Sequence, residues 1–476
     1  MLVILCVANK TNGVITVIQL TTNRTSVFNR ISALIILKIG VAELGYEIEK
    51  SKKMKLLLSE TGAPLREIKS LNQQRLKIKS MKKISILTQY FYPSHAATAQ
   101  LMTDLAKGLS GHNYNLNIFT GTKSNSAIPD FLTQFKIIRA FSPIKSSTSI
   151  FSKISSSIFF LIGALWYVIF SVPSKTPLLI ASNPPYAGIL GIIFNIVRRG
   201  KYYFLLQDIF PQSATMSGIM KQNSILYQFF SKLIYLTYKY SEYIIVLSSS
   251  MQEFLEKKYP DLKPKIKVIE NWAIEDITIV SKAENDFAKQ HELNEIFTVL
   301  YSGNMGRLHD IETITEAARI LKDEPIKFVF IGDGAKTKIV KQAIDIYKLQ
   351  NILLLPYQPR ELLPLSLTAC DISLVSLIPG AESIVAPSKL YGMLAAGRWI
   401  ISISVPNSYI DKLLTNSGCG VNVSPDDPQQ LADIIRQLAS DNQRVKSMGE
   451  IARQLYETRY TFKRALEEYE KLLSGI

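Results

Sequence analysis

From residue 81 onward, short apolar runs alternate with longer segments of helical period. That alternation is the mark of parallel strands buried on both faces by helices. Met81–Gln89, Asn115–Phe119, Tyr202–Leu206, Tyr243–Leu247 and Ile266–Ile269 read as one set of strands. Between the first two, Ala97, Leu101, Leu105 and Leu109 mark one face of a helix that stops at Gly111. A second set of strands lies near 298–302, 327–331, 352–355, 371–375, 399–404 and 420–423. The pattern predicts an α/β protein with two doubly wound, Rossmann-like parallel-sheet domains, at 81–275 and 296–455, and a closing helical segment at 456–476. Residues 276–295 are polar and charged, as a linker should be.

Residues 1–80 stand apart. They lack the charged start of a signal peptide, and apolar pieces such as Ile31–Val41 are too short to span a bilayer. Lys50–Lys55 and Arg75–Lys79 are basic clusters of the kind found in solvated linkers. Met81-Lys-Lys-Ile-Ser-Ile-Leu then opens a first strand as a natural N-terminus would. The expectation is that 1–80 is a poorly ordered extension or not part of the functional protein.

Charge changes this picture in one respect. The formal net charge is +16, but half of it resides in 1–80, which weakens any nucleic-acid reading. Between Phe131 and Gln207 there is no Asp or Glu, while Lys136, Arg139, Lys145, Lys153, Lys175, Arg198, Arg199 and Lys201 are present. Inside that stretch runs the uninterrupted apolar segment Ile158–Phe170, too short to cross a membrane as a helix. It reads either as a buried domain helix or as a face that dips into an anionic leaflet, with a second patch at Tyr186–Val197. Cys6, Cys370 and Cys419 are far apart and four histidines are scattered, so neither a disulfide framework nor a metal cluster is expected.

The chemistry concentrates after residue 298. Val299–Ser302 is an apolar strand that breaks on Gly303 and Gly306 and continues into a helical run ending at Leu321. Such a turn offers backbone N–H groups, and the positive end of a helix dipole, to an anionic phosphate. Phe328-Val-Phe-Ile-Gly-Asp-Gly334 repeats the pattern. Pro387-Ser-Lys-Leu-Tyr-Gly-Met-Leu-Ala-Ala-Gly397 follows, with another strand behind it.

Taken in order, Ser-Gly-Asn-Met-Gly at 302–306, Gly-Asp-Gly at 332–334 and Pro-Ser-Lys with Leu-Ala-Ala-Gly at 387–397 resemble the donor-binding half of retaining family 4 glycosyltransferases of GT-B fold. The likeness is greatest to bacterial enzymes that build exopolysaccharide or O-antigen units, the colanic-acid type among them, on a lipid carrier. The resemblance implies a UDP- or GDP-sugar donor, a lipid-linked saccharide acceptor, and no metal or other cofactor. It implies a cytoplasmic enzyme held peripherally at the inner leaflet, with no nucleic-acid partner. It also implies two domains facing an interdomain cleft, with the last helix crossing back to the first domain.

Onto the matching positions the resemblance carries Gly303, Asn304, Gly306, His309, Gly332, Gly334, Tyr357, Glu382 and Ser388 as donor-binding residues. Arg307 and Lys389 would stabilise the leaving diphosphate, although a solvated arginine and a helix-capping lysine are the plainer readings. His309 would donate to phosphate or cap the helix start. Asp208 would orient the acceptor hydroxyl, or serve only as a helix N-cap; His95, Ala97 and Thr98 would line the acceptor side. The family's paired glutamates would fall at Ile384 and Gly392, and neither position is acidic, which leaves Glu382 as the nearby carboxylate. Two other readings remain: a non-hydrolysing nucleotide-sugar epimerase of the same fold, and a basic binding protein without catalysis.

Overall fold

The structure is a computed structural model; it describes residues 2–8, 15–21 and most of 81–474, leaving out 95, 122–131, 134, 141–149 and 274–276. The chain separates into two compact units, Met1–Ser80 and Met81–Ile476. In the first, β1 (Leu2–Ala8) pairs antiparallel with β2 (Ile15–Thr21), Leu2 opposite Thr21. The basic clusters at 50–55 and 75–79, and the apolar piece 31–41, lie outside the described residues.

The second unit holds two parallel sheets. The N-terminal lobe comprises β3 (Lys82–Thr88), α1 (Ala97–Gly111), β4 (Tyr114–Thr120), β5 (Lys136–Arg139), α2 (Ile150–Phe170) and β6 (Leu178–Ala181). It continues with α3 (Gly188–Arg198), β7 (Tyr202–Leu205), α4 (Gln212–Met216), α5 (Ile225–Tyr240), β8 (Tyr243–Val246), α6 (Ser249–Lys258) and β9 (Ile266–Val268). Its seven strands lie in the order β5-β4-β3-β6-β7-β8-β9. The order reverses at β3/β6, so the crevice beyond those two strands is where ligands of such sheets bind.

The C-terminal lobe comprises α7 (Asp286–Gln290), β10 (Phe297–Ser302), α8 (Glu312–Ile320), β11 (Ile326–Ile331), α9 (Thr337–Tyr347) and β12 (Ile352–Leu355). After these come α10 (Leu363–Thr368), β13 (Ile372–Ser376), α11 (Lys389–Ala395), β14 (Trp399–Ile403), α12 (Tyr409–Ser417), β15 (Gly420–Val423), α13 (Pro428–Ala439) and α14 (Asn442–Arg459). The sheet runs β12-β11-β10-β13-β14-β15, with its switch point at β10/β13. Both sheets are covered on both faces, which is why Ile84, Ile86, Ile180, Phe204, Ile244, Ile372, Leu374, Ile400 and Ile401 are buried whichever way they point. The α/β class and the two Rossmann-like sheets agree with the expectation.

Two short strands escape the periodicity argument. β5 is a four-residue edge strand with Lys136 and Arg139 at its ends, and β6 is a four-residue run directly after Pro177. The apolar run Ile158–Phe170 is the second part of a 21-residue helix that begins at Ile150. One side of it faces the sheet, where Phe119 stacks on Tyr167 at 5.0 Å between ring centroids and meets Phe160 at 5.9 Å.

The closing helix α15 (Phe462–Ser474) packs on the N-terminal lobe, burying Ala465, Leu466, Tyr469 and Leu473 in its core. Gly108 of α1 makes room for it: a Cβ there would lie 2.6 Å from the Phe462 ring and 2.8 Å from Leu466. Trp272, where the chain leaves the N-terminal lobe, meets Phe462 at 5.2 Å and Tyr469 at 6.4 Å between ring centroids. The chain therefore passes between the lobes twice, at adjacent places. Tyr469→Ala should destabilise the protein by about 3 kcal/mol or more, the usual cost of emptying a buried aromatic site. Denaturant unfolding followed by tryptophan fluorescence reads this directly through Trp272; an unchanged midpoint would mean α15 is a passive tail.

Candidate active site

The turn after β10 is held against the turn after β11 by backbone alone. Gly303 N–H donates to Ile331 O at 2.8 Å, and Met305 N–H donates to Asp333 O at 3.0 Å. Gly332 has φ +132°, and a Cβ on it would lie 2.2 Å from Gly303 O; one on Gly334 would lie 2.4 Å from Met305 O. No side chain fits at either place, and this explains the glycines better than flexibility does. Met305 is buried beneath the turn, while the N–H groups of Asn304, Gly306 and Arg307 have no hydrogen-bond partner among the described residues.

The helix dipole does not contribute as the sequence suggests. α8 begins at Glu312, six residues past Gly306, and its first turn is already occupied. Asp310 accepts from Thr313 N–H at 3.0 Å and from the Thr313 hydroxyl at 2.7 Å, and Glu312 accepts from Ile311 N–H. Two carboxylates neutralise that helix end. An anion at the turn would meet amides and side chains, not a bare helix terminus.

Lys389 reaches into the turn from α11. Its Nζ lies 3.6 Å from the centroid of the Tyr301 ring and donates to Asn304 O at 3.4 Å. Its Cε lies 3.3 Å from where a Cβ on Gly303 would sit. A cation on the face of a buried tyrosine is held by the ring quadrupole without a carboxylate to neutralise it. Burial pushes the amine well below the usual lysine range; a phosphate brought alongside would favour the charged form again. The amine therefore does not cap the helix it begins.

His309 does not cap a helix either, since Asp310 does. Its Nδ1 is 2.7 Å from Ser376 O, so Nδ1 carries the proton and donates to that carbonyl. Burial, with Lys389 nearby as the second cause, pushes the imidazole down to about 3. Neutral His309 thus presents Nε2 as an acceptor. In that form it suits a hydroxyl better than a phosphate oxygen, in contrast to the phosphate donor expected from the sequence.

Tyr357 lies over the second turn, its hydroxyl donating to Asp333 O at 3.4 Å and its ring edge 3.4 Å from the Cβ position of Gly332. Ser388 directly precedes α11 and its side chain makes no cap. Arg307 stands apart from this group: its guanidinium is exposed and reaches Ser217 O of the other lobe at 3.5 Å.

The segment after β13 docks on the N-terminal lobe. Asp208, just beyond β7, forms an antiparallel bridge with Val385, and Ile209 N–H donates to Ile384 O at 2.9 Å. Ser250 Oγ donates to Glu382 O at 2.7 Å. The carboxyl ends of the two sheets therefore face one another. Ile384, where the resemblance puts a glutamate, is instead an apolar plug in the N-terminal core; Gly392 lies inside α11. Glu382 is buried, with one carboxylate oxygen accepting from Gly380 N–H at 3.2 Å and the other, Oε2, unpaired. Burial raises both Glu382 and Asp208; Asp208 Oδ1 is likewise unpaired. Asp208 is not the N-cap of α4, a position held by Pro211.

On the acceptor side, Thr98 Oγ1 accepts from Asn183 Nδ2 at 3.2 Å at the N-terminal switch point, and Ala97 is exposed at the first turn of α1. His95 lies outside the described residues. Ser248 caps α6 through Met251 N–H. Sequence reasoning missed Tyr301, the seat of Lys389, and Ser250, which ties down the segment carrying Glu382. The first looks like any strand aromatic, and the second shares its tripeptide with the capping serine.

The two facing Rossmann-like sheets, with a cation and open amides at the switch point of the second, share the fold of solved glycosyltransferases such as WaaG. Residues 282–455 match the family Glycosyl transferases group 1. The chain is 29% identical over 273 residues to WbjE of Pseudomonas aeruginosa, named as a glycosyltransferase, covering 56% of this chain and 67% of that one. It is 34% identical over 140 residues to WcaI of Escherichia coli K12, whose name assigns it to colanic acid biosynthesis, covering 29% and 34% respectively. Among solved structures, Anabaena HepE in complex with UDP-glucose superposes with a TM-score of 0.61 at 14% identity, covering 83% of this chain and all of that one.

The raised carboxyl of Asp208 makes a pH prediction. A carboxylate must be ionised to accept a hydroxyl proton, so activity should fall as pH drops through its pKa. Because burial raises that pKa, the acid limb of kcat/KM should lie above the ordinary aspartate value of about 4. Asp208→Asn should abolish that limb along with most activity; a limb that persists unchanged would remove Asp208 from the reaction.

Proposed function

We propose that the protein transfers a sugar, with retention of configuration, from a UDP- or GDP-sugar to a lipid-linked saccharide during cell-surface polysaccharide synthesis. The carrying observation is the Lys389 amine, seated on Tyr301 beside the open amides of the Gly303–Gly306 turn. Departure of a nucleoside diphosphate builds negative charge on its terminal phosphate, and cations with preorganised N–H groups stabilise that charge. Lys389 and those amides are the groups assigned to it, with Arg307 available from the rim. In this reading they do the work a divalent ion would otherwise do. His309 Nε2 and Glu382 face the donor sugar as acceptors for its hydroxyls, Tyr357 covers the base, and Asp208 orients the acceptor. The UDP-glucose held by HepE supports the donor class, and the name of WcaI supports the pathway class.

A lipid-linked acceptor requires the enzyme to work at a membrane surface, and the N-terminal lobe has a face suited to it. On α2, Ile158, Ile162, Trp166 and Phe170 recur every fourth residue, and each is at least 49% exposed. α3 packs on α2 and exposes Ile189, Ile196 and Val197; α5 packs on α3 and exposes Ile225, Leu226 and Phe229. From 131 to 241 the sequence has eleven Lys or Arg and one carboxylate, Asp208. No helix among the described residues is long and apolar enough to cross a membrane. Apolar rows among basic residues fit the cytoplasmic leaflet, with side chains dipping in and lysines meeting anionic headgroups.

Two measurements test this reading. Radiolabel from UDP- or GDP-sugars should pass to extracted lipid-linked saccharide, with activity surviving EDTA and Lys389→Ala lowering kcat/KM by roughly 10- to 1000-fold; loss on chelation or an unaffected variant would refute it. The protein should float with vesicles containing phosphatidylglycerol, less with neutral ones, and less again after Trp166→Glu. Equal recovery in all three would refute the membrane face.

A further inference from the structure

We propose that Asp104 and Arg360 form a clasp between the lobes that positions the nucleotide-facing loop 356–360, so that donor affinity depends on a residue far from the donor. Asp104 lies in the middle of α1, and its side chain is 0% exposed. Arg360 belongs to the other lobe, immediately after the loop that follows β12. Its Nη2 donates to both carboxylate oxygens of Asp104, at 3.0 and 3.2 Å. Both oxygens are engaged by a charged donor, the stronger kind of hydrogen bond, and the carboxylate itself is fully buried. An aspartate on the buried face of a helix is unfavourable unless a partner is supplied, and here it comes from 256 residues away.

What the clasp holds gives it a role. Pro356 and Pro359 restrict φ at two of the four positions that lead to Arg360. Tyr357 between them touches the Gly332 turn and Asp333 O. Fixing Arg360 therefore fixes the ring that covers the second glycine turn. The loop is tied at one end to the turn it covers and at the other to the N-terminal lobe. Separating the lobes would strand the Asp104 charge and release Tyr357 together, so the closed arrangement and an ordered donor site favour one another. Asp104 and Arg360 are positioning residues, not catalytic ones. The assignment of the donor to these turns rests on the function proposed above; the clasp itself does not.

The test uses Arg360→Ala, Arg360→Lys, Asp104→Asn and the double variant Asp104→Asn/Arg360→Ala in the full chain. Arg360 is only partly buried, so Arg360→Ala should fold, and a melting curve checks it. Calorimetric titration with UDP and GDP, without acceptor, should show affinity weakened about tenfold in Arg360→Ala, as expected if the binding-competent population drops to a tenth. Donor KM should rise while kcat at saturation stays within about twofold, and Arg360→Lys should recover part of the loss. The double variant should be no worse than Arg360→Ala, because both substitutions break one contact. Small-angle scattering of the free protein should show a larger radius of gyration in Arg360→Ala than in wild type. A folded Arg360→Ala with wild-type radius and wild-type nucleotide affinity overturns the clasp, as do losses that multiply in the double variant. If wild type binds neither nucleotide, the proposed donor reading fails, and the scattering comparison alone decides the clasp.

Discussion

The contact on which the rest of this molecule depends is backbone against backbone. The turn after β10 lies on the turn after β11, with Gly332 against Gly303 O and Gly334 against Met305 O, closer than any side chain allows. Three backbone hydrogen bonds, Gly303 N–H to Ile331 O, Met305 N–H to Asp333 O and Lys336 N–H to Met305 O, fix the pair. Because the turns touch, Lys389 can lie along one of them and still reach Tyr301, and Tyr357 can lie on the other. An extra methyl at Gly332 would push the turns apart and unseat every group above them.

Charge at the site is arranged by exclusion as much as by attraction. The helix end that might have held an anion is occupied by Asp310 and by Glu312, which Lys336 pairs, and Lys389 with the open amides lies beside it as a cation without a carboxylate. His309 is held neutral by burial and by Lys389 nearby, and its bond to the Ser376 carbonyl sets its free nitrogen as an acceptor. Asp208 of the N-terminal lobe and Glu382 of the C-terminal lobe each have a buried carboxylate oxygen without a partner among the described residues. The two carboxylates meet where the segment after β13 docks on the N-terminal lobe, Asp208 bridging Val385 and Ser250 holding Glu382 O.

Much of the fold was legible because buried parallel strands write themselves as apolar runs, and glycines at strand ends mark the turns. Val299–Ser302 with Gly303, and Phe328–Ile331 with Gly332, are examples. What stayed hidden has physical causes. β5 is too short and too charged at its ends to stand out, and β6 follows a long apolar helix that removes the contrast. α2 starts eight residues before its apolar run because Ser155–Ser157 can sit in a helix without contributing to periodicity. At the site, residue types were readable but their partners were not. Whether a histidine donates or accepts depends on the carbonyl of Ser376, 67 residues away, and the register that puts Ile384 into the N-terminal core depends on the other sheet's edge.

The two passages of the chain between the lobes lie side by side, with Trp272 against Phe462 and Tyr469. A pair of covalent straps at one edge behaves like the spine of a book. It resists sliding of one cover over the other and leaves swinging about that edge as the easy motion. Exchange of whatever the cleft binds would be paced by how far the covers part, and the tilted and edge-on aromatic rings at the spine set how stiffly they do so.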